Sequence, residues 1–307
     1  FVTYIVSCSL GGICAGLVFH ITNPNEFEPN NPVLNILGLS NDLNDSKTKR
    51  ISALVMEFIG TFYLVWIVSL SVNAQFPSYG GIAIGAILMS MIFAGGHVSG
   101  AHYNPCVTLG VYLRGKDEQP PLISAMDALL YMGAQVMAAF CAAGCAAYVN
   151  GGTNMIASPG VNSSYTTFAG FVCEFIISTM LVSAVLSSAT FHKSAGNSYF
   201  GMAIGWSVLT GALSVGGISG GVFNPAIGIA LPLVTDNHKN DVVIYLFGPF
   251  LASVLASAMF GFWNMKSEDE EATPEPSAPT KHSTSVEVES TNPMAEGVII
   301  TEKSDAI

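Results

Sequence analysis

The sequence predicts an all-α membrane protein with six transmembrane helices, two re-entrant half-helices and an inverted internal repeat. Three observations predict this fold class. Half of the 307 residues are hydrophobic and only 10% are charged, whereas soluble domains carry roughly 25% charged residues. The chain contains seven long apolar runs. Two similar stretches, 120 positions apart, each contain an Asn-Pro dipeptide within an apolar region.

The apolar runs are long enough to be membrane-spanning helices. About 20 apolar residues cross the hydrocarbon core of a bilayer, which is about 30 Å thick. The runs lie at Val2–Ile21, Ile51–Asn73, Tyr79–Val98, Ser124–Val149, Phe168–Phe191, Tyr199–Val215 and Val242–Asn264. The last six form the predicted bundle, and the first is an additional hydrophobic helix.

The internal repeat divides these six helices into two halves. "GIAIG" at Gly81–Gly85 recurs as "GMAIG" at Gly201–Gly205, and "GHVSGAHYNPCVTLG" aligns with "GISGGVFNPAIGIA" after one small offset. Each half has three spans, and because three is odd the second half must enter the membrane from the opposite side. Inverted repeats of this kind place a functional site near the bilayer midplane, between the halves.

Each Asn-Pro dipeptide predicts the start of a short helix inside the membrane. Asparagine is a strong N-cap residue, and proline is well tolerated at the first helical position. The apolar stretches after Asn104-Pro105 and Asn224-Pro225 end at Arg114 and near Asp236. Roughly nine helical residues span only about 14 Å, which is half a membrane. The alternative, that both motifs merely cap ordinary helices, is disfavoured because the two are duplicated in register.

Inverted symmetry brings the two half-helices together with their N-termini at the centre. Each N-terminus carries about +0.5 of an elementary charge from the helix dipole. We therefore expect the meeting point to repel cations. We also expect Asn104 and Asn224 to direct amide donors towards it, where a neutral solute with an oxygen atom can accept a hydrogen bond.

The two Asn-Pro segments resemble the paired Asn-Pro-Ala loops of the aquaporin (major intrinsic protein) family. "SGAHYNPCVTLG" resembles the first loop, with Cys106 in place of the usual alanine, and "SGGVFNPAIG" resembles the second, with Ala226. The resemblance covers about Ile51–Met265. It implies a right-handed helical bundle with one pore per subunit, usually a homotetramer. It also implies a passive channel for water and small uncharged solutes of the glycerol, urea or ammonia class.

Further residues match the family pattern. "EFIGTF" from Glu57, and Glu174 at the start of the fourth span, match two acids that support the loop backbones in this family. Acids inside a membrane are costly and usually have a function, and structural support is favoured here over contact with the solute. The resemblance also implies that His102 lines the inner vestibule.

The predicted outer constriction departs from the family pattern. The resemblance, carried over by spacing from the motifs, assigns it to Ile84, Ala212, Gly221 and Ile227, and most members have arginine at the last position. An arginine supplies a permanent charge and a fork of donors. Its absence leaves two alternatives. The constriction is wider and passes glycerol-, urea- or ammonia-sized solutes, or it is an apolar ring that slows water.

The domain organisation follows from these patterns. We expect an extra hydrophobic helix over 1–21, a linker over 22–50, a channel domain over 51–265 with repeats of about 51–150 and 168–265, and a disordered tail over 266–307. The extra helix resembles the last span of the channel domain. It is therefore either the last helix of a preceding channel unit in a longer chain or a simple anchor.

Charge predicts the orientation. Basic residues are concentrated in segments on one side of the predicted topology, and the other side holds only Lys239. By the positive-inside rule the linker and the tail are cytoplasmic, and the Asn162-Ser-Ser sequence is external and open to glycosylation. The tail contains ten acidic residues and three lysines, and its Pro-, Ser- and Glu-rich composition is typical of disorder.

Three other functions are less well supported by the sequence. The unusual Asn-Pro-Cys motif and the missing arginine also fit a channel of internal membranes that conducts mainly water. A secondary transporter uses inverted repeats too, but the ionisable candidates near the midplane, Glu57 and Glu174, have structural interpretations. An enzyme lacks support, because the sequence has no nucleophile–base pairing, metal cluster or phosphate loop. No cofactor and no nucleic-acid partner are expected.

Overall fold

The computed structural model describes residues 2–27, 31–40, 45–71 and 79–271, and in this part of the chain every regular element is helical. A π turn at Leu186–Thr190 extends the seventh α-helix. The α-helices are α1 (Val2–Thr22), α2 (Pro32–Ile36), α3 (Ser46–Ser71), α4 (Gly80–Ser99), α5 (Pro105–Gly115), α6 (Ala125–Asn150), α7 (Thr167–Val185), α8 (Phe200–Ser219), α9 (Pro225–Thr235) and α10 (Val242–Glu271).

Seven helices of the described residues are long and apolar enough to cross a membrane. They are α1, α3, α4, α6, α7 with its π turn, α8 and α10. Each covers most or all of one of the predicted runs, although Val72 and Asn73, at the end of the second run, lie outside the described residues. The predicted all-α membrane fold is therefore confirmed. The two remaining long helices, α5 and α9, have 11 residues each and are too short to span.

Helix α3 begins at Ser46 rather than at Ile51, so the end of the predicted linker belongs to the first helix of the bundle. The cause is a cap that the apolar pattern does not show. The Asp45 carboxylate accepts hydrogen bonds from the Thr48 backbone N–H at 2.9 Å and from its hydroxyl at 2.8 Å. The hydroxyl bond and then the backbone bond hold the pKa of Asp45 below its ordinary value. A charged N-cap of this kind satisfies free N–H groups of the first turn.

Helix α1 lies against the bundle with little of its surface covered. Only 6% of its apolar window is buried. Its end meets α3 where the Ser52 hydroxyl donates to the Ile21 carbonyl at 2.6 Å. The following segment returns towards α4, where His97 Nε2 lies 2.9 Å from Asn23 Oδ1. The extra helix is thus attached to the bundle through its C-terminal end.

The repeated glycines place α4 and α8 in close contact. A Cβ atom on Gly85 would lie 2.7 Å from the Gly205 carbonyl oxygen, and a Cβ on Gly205 would lie 2.7 Å from the Gly85 carbonyl oxygen. Any side chain at either position would force the helices apart. Small residues at equivalent positions of the two halves therefore let the middle helices cross backbone to backbone.

The chain separates into two compact units, Phe1–Lys266 and Ser267–Ile307. The first contains the helical bundle. Of the second, only the end of α10 up to Glu271 is described. The predicted disorder of the tail falls on residues outside the described part.

Candidate functional site: a cavity between two half-helices

The half-helices α5 and α9 both begin at an Asn-Pro dipeptide. Asn104 and Asn224 have extended backbones, and each side-chain oxygen accepts a hydrogen bond of 3.0 Å from the N–H two residues later. Pro105 and Pro225 occupy the first helical position, where a missing N–H costs nothing. Both motifs therefore cap helices as their composition requires, and α5 and α9 end at Gly115 and Thr235.

The loops that lead into the half-helices share one backbone conformation. The C-cap residues that follow helices α4 and α8 are Gly100 and Gly220, whose φ angles are +84° and +90°. The residues before the asparagines, Tyr103 and Phe223, have φ angles of +50° and +51°. Residues other than glycine rarely adopt this left-handed backbone conformation, so surrounding contacts must hold Tyr103 and Phe223 in it.

Two buried carboxylates supply these contacts. Both side chains are fully buried. Glu57 accepts from the Ser99 hydroxyl at 2.7 Å, from His102 N–H at 2.9 Å and from Tyr103 N–H at 2.7 Å. Glu57 thus satisfies the N–H groups that the turn of the first loop cannot pair within a helix.

Glu174 repeats this arrangement in the second half. It accepts from the Ser219 hydroxyl at 2.7 Å, from Val222 N–H at 3.0 Å and from Phe223 N–H at 2.7 Å. The structure therefore places both glutamates behind the loops, as the backbone-support hypothesis requires, and neither lines the cavity described below.

The two loops are joined by their asparagine amides. Asn104 Nδ2 donates to the Phe223 carbonyl at 2.8 Å, and Asn224 Nδ2 donates to the Tyr103 carbonyl at 2.9 Å. An amide nitrogen carries two hydrogens, so each asparagine uses one of them to bind the opposite loop. The sequence predicted donors directed at a shared point, but not this crossed pair of bonds.

A cavity of about 520 Å³ runs past this junction. Both asparagines line it, as does His102. Its remaining wall is largely aliphatic side chains and glycine, and Ser158 is the other polar side chain in it among the described residues. The cavity is thus apolar with a few hydrogen-bonding groups, which is the usual character of a small-solute site.

All four positions predicted to form the constriction line the same cavity: Ile84, Ala212, Gly221 and Ile227. A Cβ on Gly221 would lie 3.1 Å from the Gly216 Cα and 3.4 Å from the Ala212 Cα, so the wall is tightly packed there. Ile227 is 4% exposed and is the third residue of α9. The remaining motif residues, Pro105, Cys106, Pro225 and Ala226, are buried behind the wall.

Sequence reasoning missed a polar group behind His102. His102 Nδ1 lies 3.2 Å from the Thr108 hydroxyl, which donates to the Asn104 carbonyl at 3.1 Å. Gln135 Nε2 lies 3.0 Å from the same hydroxyl oxygen and 2.8 Å from Glu57 Oε2. Two features of the sequence could have indicated this group. Thr108 lies four residues after Asn104, and Gln135 is the single side-chain amide in an otherwise apolar run.

The cavity also has a wall that the sequence did not predict. Residues Ala157–Gly160, between α6 and α7, line it. No group of three or more histidine, cysteine or acidic side chains that could hold a metal ion occurs within the described residues. The residues of the cavity wall can therefore form hydrogen bonds with a solute and can exclude solutes by their size and charge.

An inverted pair of half-helices that meet beside a cavity, within a bundle of apolar helices, defines a membrane channel. The family model of the major intrinsic proteins matches residues 71–260. The chain belongs to this family, so it is an integral, multi-pass membrane channel for water and small solutes and not an enzyme.

Plant proteins of several aquaporin types are similar to this chain. Aquaporin NIP1-1 of Oryza sativa subsp. japonica is 31% identical over 69% of this chain and 72% of its own length. Aquaporin PIP1-5 of Zea mays is 31% identical over 66% of this chain and 75% of its own length. Nodulin-26 of Glycine max is 28% identical over 67% of this chain and 76% of its own length. Identity is nearly equal across these types, so it does not assign a solute.

A solved structure has the same fold. The aquaglyceroporin from Plasmodium falciparum superposes with a TM-score of 0.58 at 19% identity, covering 72% of this chain and 98% of its own. This likeness concerns the fold alone. It confirms the aquaporin-like bundle that the paired motifs predicted.

Proposed function

We propose that this channel passively conducts small uncharged solutes of the glycerol, urea or ammonia class in addition to water. The observation that carries the proposal is the character of the predicted constriction. Ile84, Ala212, Gly221 and Ile227 are all uncharged, all face the cavity, and two of them are small. A passage without a fixed charge or a large polar side chain selects mainly by size.

Exclusion of ions in this proposal rests on the junction of the half-helices. The N-termini of α5 and α9 meet where Asn104 and Asn224 bind the opposite loops. Each N-terminus contributes about half a positive charge, and no carboxylate oxygen faces the cavity within the described residues. A cation that leaves water at this point gains little in return, whereas a neutral solute can accept from the second amide hydrogens.

The test is to restore the charge with Ile227→Arg. We expect the flux of glycerol and urea through reconstituted vesicles to fall about threefold or more relative to the flux of water, because a guanidinium narrows and polarises the passage. Ile227→Leu keeps the volume without the charge and is the matched control. Equal ratios of solute to water flux in the wild type and in Ile227→Arg would contradict the proposal.

A second candidate is a channel that conducts mainly water, as in an internal-membrane aquaporin. It is favoured by the Asn-Pro-Cys motif at Asn104–Cys106 and by the absence of arginine at Ile227, whereas the low number of polar side chains in the wall weighs against it, because water stripped of its neighbours finds few replacements there. The same vesicles separate the two candidates. Water flux without measurable glycerol, urea or ammonia flux in the wild type would support this second candidate over the first.

We also propose a cytoplasmic linker and tail, from the basic residues on that side, and a homotetramer, from the usual assembly of the family. A fluorescent tag is attached after Ile307, and a quencher that does not cross membranes is added to intact cells. Quenching of the tag would contradict the orientation. A monomeric mass in mild detergent would contradict the assembly.

A further inference from the structure

One wall of the cavity is a loop whose position depends on residues outside the Asn-Pro motifs. We call Ala157–Val161 the mouth loop. It precedes α7, and its first four residues line the cavity. Because the wall here is loop and not helix, the groups that hold the mouth loop in place determine how wide the cavity is at this end.

The mouth loop is anchored from three elements. Ala157 N–H donates to the Ser69 carbonyl of α3 at 3.1 Å. The Thr235 hydroxyl, at the end of α9, donates to the Ser158 hydroxyl at 2.9 Å. Val161 N–H donates to Asp241 Oδ2 at 2.9 Å. Two of these three anchors come from the short segment that runs from Thr235, the last residue of α9, to Asp241, which directly precedes α10.

His238, in the same segment, lies directly against the mouth loop. A Cβ atom on Gly160 would overlap the His238 ring, so the ring packs on the bare backbone of a cavity-lining residue. His238 has φ +52° and ψ +28°, a left-handed conformation that is uncommon for a residue with a side chain. Its Nδ1 is 3.6 Å from Asp241 Oδ2, the oxygen that accepts from Val161.

The Asp241 carboxylate therefore connects the mouth loop to a titratable ring. The side chain of Asp241 is 16% exposed and that of His238 is 39% exposed, so the pair is partly shielded from solvent and its attraction is screened less than between fully exposed groups. A neutral imidazole at 3.6 Å contributes little. An imidazolium is attracted to the carboxylate and holds it, together with the N–H of Val161, in place.

We propose that His238 and Asp241 form a proton-sensitive latch that positions the mouth loop and thereby adjusts which solutes pass this end of the cavity. The inference rests on the proposed conduction through this cavity. Histidine changes charge between about pH 5 and 8. The latch is tight when the His238 ring carries a positive charge beside the Asp241 carboxylate, and it is loose when the ring is neutral.

The other charged groups near the latch do not reproduce this behaviour. Asp236 and Lys239 form an exposed ion pair with each other. The mouth loop and the residues that follow it to Ser164 contain no titratable side chain. In α10 the nearby Tyr245 is fully buried and donates its hydroxyl to the Ser219 carbonyl at 2.6 Å.

The experiment measures glycerol and water permeability of vesicles that contain the full chain, with the same pH on both sides. At about pH 5.5 we expect the glycerol-to-water ratio to be about twofold lower than at about pH 8, the size of effect that a partly exposed pair supplies. Asp241→Asn keeps an acceptor for Val161 but removes the charge, and His238→Gln keeps a polar side chain. Both variants should conduct, and both should lose the pH dependence.

Lys239→Gln is the matched control, because it removes a charge from the same segment without touching the mouth loop. It should keep the wild-type response. A pH-independent ratio in a wild type with normal flux, or an unchanged response in Asp241→Asn, would overturn the latch and leave the proposed channel intact. Flux no greater than in empty vesicles at either pH would overturn both proposals.

Discussion

The two halves of the channel support their loops in the same way but surround them differently. Glu57 and Glu174 each bind a serine hydroxyl and two backbone N–H groups with nearly equal distances. A tyrosine hydroxyl closes each loop, from Tyr131 to the Ser99 carbonyl at 3.0 Å and from Tyr245 to the Ser219 carbonyl at 2.6 Å. The backbone geometry of the junction is therefore duplicated.

The surroundings of the two carboxylates are not duplicated. In the first half Glu57 has a further donor, Gln135, and His102, which lines the cavity, is followed behind the wall by Thr108 and Gln135. The equivalent positions in the second half hold Val222, Gly228 and Pro249. A Cβ on Gly228 would overlap Tyr245, so the second half has no room for a side chain where the first half places Thr108.

This difference gives the cavity an asymmetric wall within a symmetric frame. The bonds that fix the loop backbone are the same in both halves, because the left-handed residues and the buried N–H groups require them. The side chains around those bonds are free to differ. Polarity at the His102 side and apolar packing at the Ile227 side can therefore be tuned separately.

The largest expected effect tests the equivalence of the two supports. Glu57→Gln and Glu174→Gln each replace an acceptor oxygen by an NH₂ group, which leaves at least one buried N–H of the loop unpaired at about 1–3 kcal/mol. We expect both variants to lose most of their water flux, and to lose stability equally, to within about 1 kcal/mol. Thermal unfolding of the purified protein and vesicle swelling measure the two effects.

Glu26→Gln, an exposed acid of the linker, serves as the control for that comparison and should change neither quantity. If one of the two glutamine variants conducts fully and the other does not, the two carboxylates have the same geometry but only one of them is required for conduction.

A smaller effect is expected when the first half is given the residue of the second. His102→Val removes the polar side chain that lines the cavity at this point. We expect water flux to fall about fivefold, since one hydrogen bond is worth about 1 kcal/mol, while the protein stays folded. Val222→Ile, an apolar exchange at the equivalent position, should leave water flux near the wild-type level. Unchanged water flux in His102→Val would mean that the asymmetry of the wall has no role in conduction.

The smallest effect concerns the one difference inside the motifs themselves. Cys106 Sγ lies 3.6 Å from the Phe223 carbonyl that also accepts from Asn104, whereas Ala226 offers no such contact. Weak S–H donors of this kind contribute about 0.5 kcal/mol, so Cys106→Ala should lower the unfolding temperature slightly and change flux less than about twofold. Cys106→Ser, which keeps a donor, should match the wild type. A large loss in Cys106→Ala alone would make this thiol a principal link between the loops.

Much of the fold followed from local patterns in the chain. Run length predicted the spanning helices, and the Asn-Pro dipeptides predicted where α5 and α9 begin, because capping and the missing proline N–H act over one turn. The start of α3 was misplaced because its cap, Asp45, lies outside the apolar run. The roles of Ile84, Ala212, Gly221 and Ile227 stay predictions, although the structure brings all four to one cavity.

The sequence by itself determined that this protein spans a membrane, that its two halves are inverted copies, and that both carry a half-helix. The length of an apolar run and the capping by Asn-Pro depend only on neighbouring residues. The inversion follows from counting three such runs in each half. Only the tertiary structure decided that the asparagines bind each other's loops, that Gln135 and Thr108 stand behind His102, and that Asp241 holds the mouth loop. Most of these contacts join residues far apart in the chain, and their geometry exists only after the helices have packed.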